Sequence, residues 1–233
     1  MNWKTRISTL LALAGATLWL SPHALSQGNS LVYAPDEVVL GKTCAEWSAE
    51  FWKWGLSFPV PINPNFDTTG ERSMLGQSAD VFFVPGFAPG GPVTVQYTVP
   101  SGKPLLVQLM TAECSDLEPA PYHGDTDAER LANARAWMDA VGPETLKLSI
   151  DGVAVEGLIQ YRMSTPPFDF LVPAQQNWLD LAGATFGRSA ADGIWVMVKP
   201  LSRGTHVIHY AAGVTSGASK GYVQDVTAQI TVR

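Results

Sequence analysis

The segment at 111–130, TAECSDLEPAPYHGDTDAER, gathers six carboxylates, a histidine and a cysteine in a chain that is elsewhere sparsely charged. Carboxylates and an imidazole at this density could serve as general acids and bases. Two carboxylates held several ångströms apart can hydrolyse a glycosidic bond. Glu113, Asp116 and His123 are therefore the catalytic candidates, and the matching activity is that of a secreted polysaccharide hydrolase or lyase. The spacing does not suit a metal. The glycine and the terminal bidentate Glu of a calcium loop are missing, and His123-x-Asp125 is too short a signal for zinc. No metal and no cofactor are expected.

The same residues also have a structural reading. Thr126-x-x-Glu129 is a capping box, in which each side chain satisfies the other's backbone N–H at a helix start. Asp125, Asp127 and Glu129 then surround a helix N-terminus, where negative charge is favoured by about 0.3–1 kcal/mol per residue. Asp116 to His123 reads as a polar loop. Glu113 resists this account, because it follows the strand-like LLVQLM and adjoins Cys114, a rigidly supported position of the kind that functional groups occupy. His206 and His209, three apart on a strand, project from opposite faces and cannot chelate one ion together. The chain has no G-x-S-x-G elbow, H-E-x-x-H, P-loop or G-x-G-x-x-G.

The elements that would position these groups follow from pattern and turn chemistry. Thr43 and Glu46 form another capping box, opening TCAEWSAEFWKWGL. Trp47, Phe51, Trp54 and Phe58 fall on one helical stripe, while Trp52 points about 140° away, a candidate exposed aromatic for which covering by a loop ranks ahead of ligand binding. Alternation over PVTVQYTVP and YVQDVTAQITVR predicts half-buried strands. GIWVMVKP is apolar on both faces and reads as a central strand, and the Pro-interrupted YRMSTPPFDFLVP as an edge. TLKLSIDGVAVEGL is a hairpin turning at Asp151-Gly152, with Ile150 opposite Val153. Strands separated by turns, with two short helices, predict a mainly β chain: an antiparallel two-sheet β-sandwich of jelly-roll or immunoglobulin-like type.

The start of the chain has a basic pair (Lys4, Arg6), an apolar run from Leu10 to Leu20, and small residues at Ala24 and Ser26. This is the pattern of a secretory signal peptide over 1–26, leaving a single domain over 27–233 that is secreted or periplasmic. Losing Lys4 and Arg6, with no acids beside them, moves the formal net charge from −6 to −8. An acidic surface argues against nucleic acid as a partner, and no later segment is long and apolar enough to span a bilayer. The two cysteines, Cys44 and Cys114, are expected to pair in a disulfide in an oxidising compartment.

Taken together, GKTCAEWSAEFWKW, GQSADVFFVPG, VPSGKPLLVQLMTAECS, the IDGV hairpin and ADGIWVMVKPLSRGTHVIHY resemble a family of secreted bacterial single-domain proteins. The resemblance implies export and one domain, and it brings no activity or site residues with it. Non-catalytic ligand binding, to a saccharide or another envelope component, or a structural role therefore ranks ahead of hydrolysis. In the binding reading Trp52 and Trp178 are the stacking platforms, and Asp125 is a hydrogen-bond acceptor on the acidic loop.

Overall fold

The computed structural model describes residues 29–183 and 185–233. The leader expected over 1–26 lies outside the described residues. Helix α1 spans Cys44–Leu56 and α2 spans Asp127–Met138. In chain order the strands are β1 (Phe82–Val84), β2 (Gly91–Val99), β3 (Leu105–Ser115), β4 (Lys147–Ile150) and β5 (Val153–Ala154). They continue with β6 (Arg162–Ser164), β7 (Phe168–Leu171), β8 (Phe186–Val198), β9 (Gly204–Gly213) and β10 (Val223–Val232).

Both capping boxes form. The Glu46 carboxylate accepts from the Thr43 N–H at 2.7 Å, and the Glu129 carboxylate accepts from the Thr126 N–H at 3.0 Å. Each saves a backbone donor from being orphaned at a helix start. The Asp151-Gly152 turn also forms as expected, with φ of 51° and 79° at its two central residues and Ile150 opposite Val153. Positive φ at both positions gives the backbone twist that a two-residue hairpin needs.

The strands build two five-stranded sheets, which makes the chain mainly β with two helices. One sheet runs β1-β3-β8, with β6 and β7 both paired to the far edge of β8. The other runs β2-β10-β9-β4-β5. Two pairings depart from the antiparallel expectation, because β1 runs parallel to β3 and β10 parallel to β2. Alternation tells which side chains face inward but is blind to strand direction, so the sequence could not distinguish these pairings.

One apolar cluster draws on both sheets. It joins Val107, Leu109 and Ile194 from the first to Tyr97, Ile208, Tyr210 and Ile230 from the second. A second cluster lies between the first sheet and α1, where Phe51 meets Trp195 edge-on with ring centres 5.1 Å apart. The first sheet is thus buried on both faces, which is why β8 reads as a continuous apolar run. Helix α2 lies against β3 and β8. Arg188 of β8 holds the helix start by donating from Nε and Nη2 to the two Asp127 carboxylate oxygens, each at 2.8 Å.

The disulfide expectation is corrected here, since Cys44 and Cys114 are separate buried thiols. The Cys44 thiol packs in the second cluster against the Trp195 carbonyl at 3.8 Å, whereas Cys114 lies opposite Ala190. Five residues of strand separate Ala190 from Trp195, or about 16 Å at ~3.3 Å per residue. A disulfide tolerates a Cα separation of only about 7 Å. Burial pushes both thiols up to about 12, with the nearby Glu113 charge adding to the effect at Cys114.

Candidate functional site: an aromatic cleft over an acid pair

Strand β3 carries the site, and a β-bulge between Gln108 and Met110 sets its register. An extra residue there shifts the alternation of everything that follows. Before the bulge Leu106 faces the α1 side; after it Thr111 does, and its hydroxyl accepts from Trp52 Nε1 at 3.2 Å. The strand then delivers Glu113 into the interior, where the side chain is 7% exposed.

A cleft of about 730 Å³ opens beside this half of β3. Its walls are aromatic. Trp52 of α1 and Trp178 of the loop before β8 stand 5.4 Å apart, inclined at 39°. Across the cleft, Tyr122 and Trp137 stack nearly parallel, 5.0 Å apart and inclined by 6°. Tyr222 and Gln224 of the second sheet's β10 end close a third side.

Glu113 and Glu118 line the cleft together. Ser189 donates to the Glu113 carboxyl in a short hydrogen bond, and Ser115 donates to Glu118 Oε2 at 2.8 Å. The two carboxyls are near enough to shift each other's ionisation. Burial, followed by the Glu118 charge, pushes the Glu113 carboxyl well above the usual carboxylate range. Burial also raises Glu118, against the opposing pull of its bonds to Ser115 and Glu113. Like charges this close are disfavoured away from water, so the arrangement favours a proton shared by the pair. Its chemistry is that of one acid donor and one carboxylate acceptor side by side.

The other sequence candidates lie elsewhere. Asp116 does not line the cleft; its carboxylate accepts from the Arg188 backbone N–H at 2.9 Å and ties the acidic loop to β8. His123 is also outside it, with Nδ1 facing the Glu118 carbonyl and Nε2 facing Asp125 Oδ1, each at 2.9 Å. The carbonyl requires an N–H from Nδ1, so only the doubly protonated ring donates to both partners. The hydrogen bond to Asp125 therefore raises the His123 pKa. Asp125 points into solvent apart from that contact. Trp52, the candidate exposed aromatic, is 6% exposed and covered by Trp178 of a loop, the outcome ranked first from the sequence. Trp178 is half-buried and does face the cleft.

Of the residues singled out from the sequence, Glu113, Trp52 and Trp178 line the cleft, whereas Glu118, Tyr122 and Trp137, which also line it, were not singled out. Glu118 was one of several loop acids with nothing local to single it out. The available signal was the pair of prolines after it, which marks a loop able to fold back. His206 and His209 take ordinary partners, Asp151 at 2.7 Å and Asp225 at 3.0 Å. Among the described residues no cluster of three metal-ligating side chains occurs, and no helix is long and apolar enough to cross a membrane.

No family model matches the chain, and no curated protein is similar to it. Solved structures show only weak likeness, and two of them illustrate it. One is the crystal structure of a cysteine protease inhibitor from Entamoeba histolytica, with 8% identity over 66% of this chain and 95% of that one and a TM-score of 0.21. The other is the solution structure of amebosin, with 10% identity over 61% of this chain and 96% of that one and a TM-score of 0.18. Likeness at that level supports neither a shared fold nor a shared activity.

Proposed function

We propose that this is an exported, non-catalytic ligand-binding protein, a single two-layer β-sandwich domain whose cleft takes up a component of the cell envelope. The leader pattern over 1–26 supports export, to the periplasm or beyond. The apolar cluster shared by the two sheets supports the sandwich. The observation that carries the binding reading is the convergence of four aromatic side chains on one acid pair in a cleft of about 730 Å³. Ligand sites are typically concave and mostly apolar, with a few placed polar groups.

The alternative is cleavage of a polysaccharide by carboxylates of the 113–127 segment, and it has less support. Glycosidases hold their two carboxyl groups about 5–9.5 Å apart, leaving room for the sugar or for water. Glu113 and Glu118 are near enough to shift each other's ionisation, and each is engaged by a serine. Asp116 and His123 are taken up by backbone groups outside the cleft.

The test is a screen of the mature protein against arrays of oligosaccharides and synthetic peptides, run beside Ser219→Trp. Ser219 is half-buried on the cleft wall, so a bulky ring there fills the cleft without entering the core. A retained compound should bind the wild type, lose affinity at least tenfold in the variant, and be recovered unchanged. A compound that binds both proteins equally, or that is cleaved, contradicts the reading.

A further inference from the structure

The edge of β3 facing the cleft is incomplete in a specific way. On its other edge β3 pairs with β8 along its whole length. Here, β1 covers only Leu105 to Val107. At the bulge, Gln224 Nε2 caps the Gln108 and Leu109 carbonyls at 3.1 and 2.9 Å. At the far end Ser115 forms a parallel bridge with His123, donating its N–H to the Tyr122 carbonyl and accepting from the Gly124 N–H, both at 3.1 Å. Residues 110–114 lie between these covers, about 16 Å of strand at ~3.3 Å per residue.

The direction in which the backbone groups point can be worked out from the neighbouring bonds. Ala191 accepts from the Thr165 N–H at 2.8 Å and donates to Thr165 Oγ1 at 2.9 Å, so its backbone groups face away from β3. Its opposite number, Glu113, must then also point away from β8. Ser115, whose N–H and C=O reach outward to Tyr122 and Gly124, has the same parity, and so does Thr111. Among the described residues, no group bonds to the outward N–H and C=O of Thr111 and Glu113. Both residues line the cleft. Open strand edges are templates for another strand, and unpaired buried backbone groups are costly.

We propose that the cleft takes an extended polypeptide segment as an added strand, seated in the gap between β1 and the His123 bridge and hydrogen-bonded to Thr111 and Glu113. This rests on the ligand-binding reading of the same cleft and names the class of envelope component. Two outward residues, each offering one donor and one acceptor at a two-residue spacing, match an extended peptide backbone. They do not match the irregular hydroxyl pattern of a sugar. A peptide of about five residues spans the gap. Its alternate side chains fall on opposite faces of the sheet, one set beside Trp52 and Trp178 and the other beside Trp137 and Met138. The favoured segment is therefore apolar on both faces.

The experiment uses the mature chain and an immobilised library of random hexapeptides, followed by N-methylated copies of the tightest binder. N-methylation at alternate residues should weaken binding by about three- to tenfold per lost hydrogen bond, and at the intervening residues much less. Amide exchange at Thr111 and Glu113 should slow on binding. Thr111→Pro removes an outward N–H while sparing the ladder to β8, as proline is tolerated on an edge; it should weaken binding. Peptide binding indifferent to every N-methylation overturns the strand pairing, and does so even if Thr111→Pro fails to fold. An oligosaccharide that binds the wild type but not Ser219→Trp, with no library peptide bound, overturns the peptide class and leaves the cleft's binding role standing. Failure of both libraries overturns both.

Discussion

Glu113 and Glu118 line the same cleft, each held by a serine, Ser189 donating to the first and Ser115 to the second. Burial first, and then the Glu118 charge, pushes the Glu113 carboxyl well above the usual carboxylate range. Glu113 has its carboxyl pKa raised on folding, so it favours the native state most below the ordinary glutamate value of about 4.3. That advantage is lost as pH rises from there through the folded value. Glu113→Gln keeps the shape, the acceptor for Ser189 and a donor for Glu118, and has no ionisation to oppose. Urea unfolding should show the variant gaining on the wild type as pH rises above about 4.3. A constant difference between the two proteins across pH would contradict the shared proton.

Asp127 behaves oppositely. The Arg188 hydrogen bonds, then Arg130, hold its carboxyl down at about 2. A lowered value stabilises the native state above the ordinary aspartate value of about 3.9, and the contribution is lost as pH falls towards 2. Asp127→Asn should flatten the acid-unfolding profile between those limits. The bridge is solvent-exposed, so the effect at neutral pH should be small. An unchanged acid limb would show that Arg188 does not anchor α2 through this residue.

The two thiols should be inert in the native protein. Buried and pushed up to about 12, neither Cys44 nor Cys114 has appreciable thiolate at neutral pH. A thiol reagent should label both only after denaturation. A non-reduced mass two hydrogens short of the reduced chain would contradict the structure.

The two cleft tryptophans should separate stability from binding. Trp52 is 6% exposed, and its Nε1 is bonded to Thr111, so Trp52→Ala should cost about 3–5 kcal/mol of stability. Trp178 is half-buried on a loop, so Trp178→Ala should cost less and act mainly on ligand affinity. Thermal melts beside binding isotherms decide the matter; equal loss of stability in the two variants would be the contrary result.

The sequence carried local information faithfully and contacts between distant segments poorly. The Thr43 and Thr126 capping boxes and the Asp151-Gly152 hairpin each depend on residues within a few positions of one another, and each formed as read. Glu113 was legible because strand-end position and composition are local facts. Its partner was not, because the fold-back that brings Glu118 to it is settled by the Ser115–His123 bridge and by Asp116 bonding to Arg188. Helical geometry placed Trp52 correctly on the side away from the main stripe. A covering loop was the favoured outcome for that side, but nothing local identified Trp178, 126 positions later in the chain, as the residue that covers it. The cysteine expectation failed for a related reason: compartment predicts oxidation, but pairing needs proximity.

The most direct test is the affinity of the wild type and of Ser219→Trp for the tightest compound retained from the arrays, with that compound's mass measured after prolonged incubation. The cleft account predicts binding at least tenfold weaker in the variant, an unchanged melting temperature, and an intact compound. Equal affinities would place binding outside the cleft. A cleaved compound would show the Glu113–Glu118 pair, or another group nearby, to be catalytic.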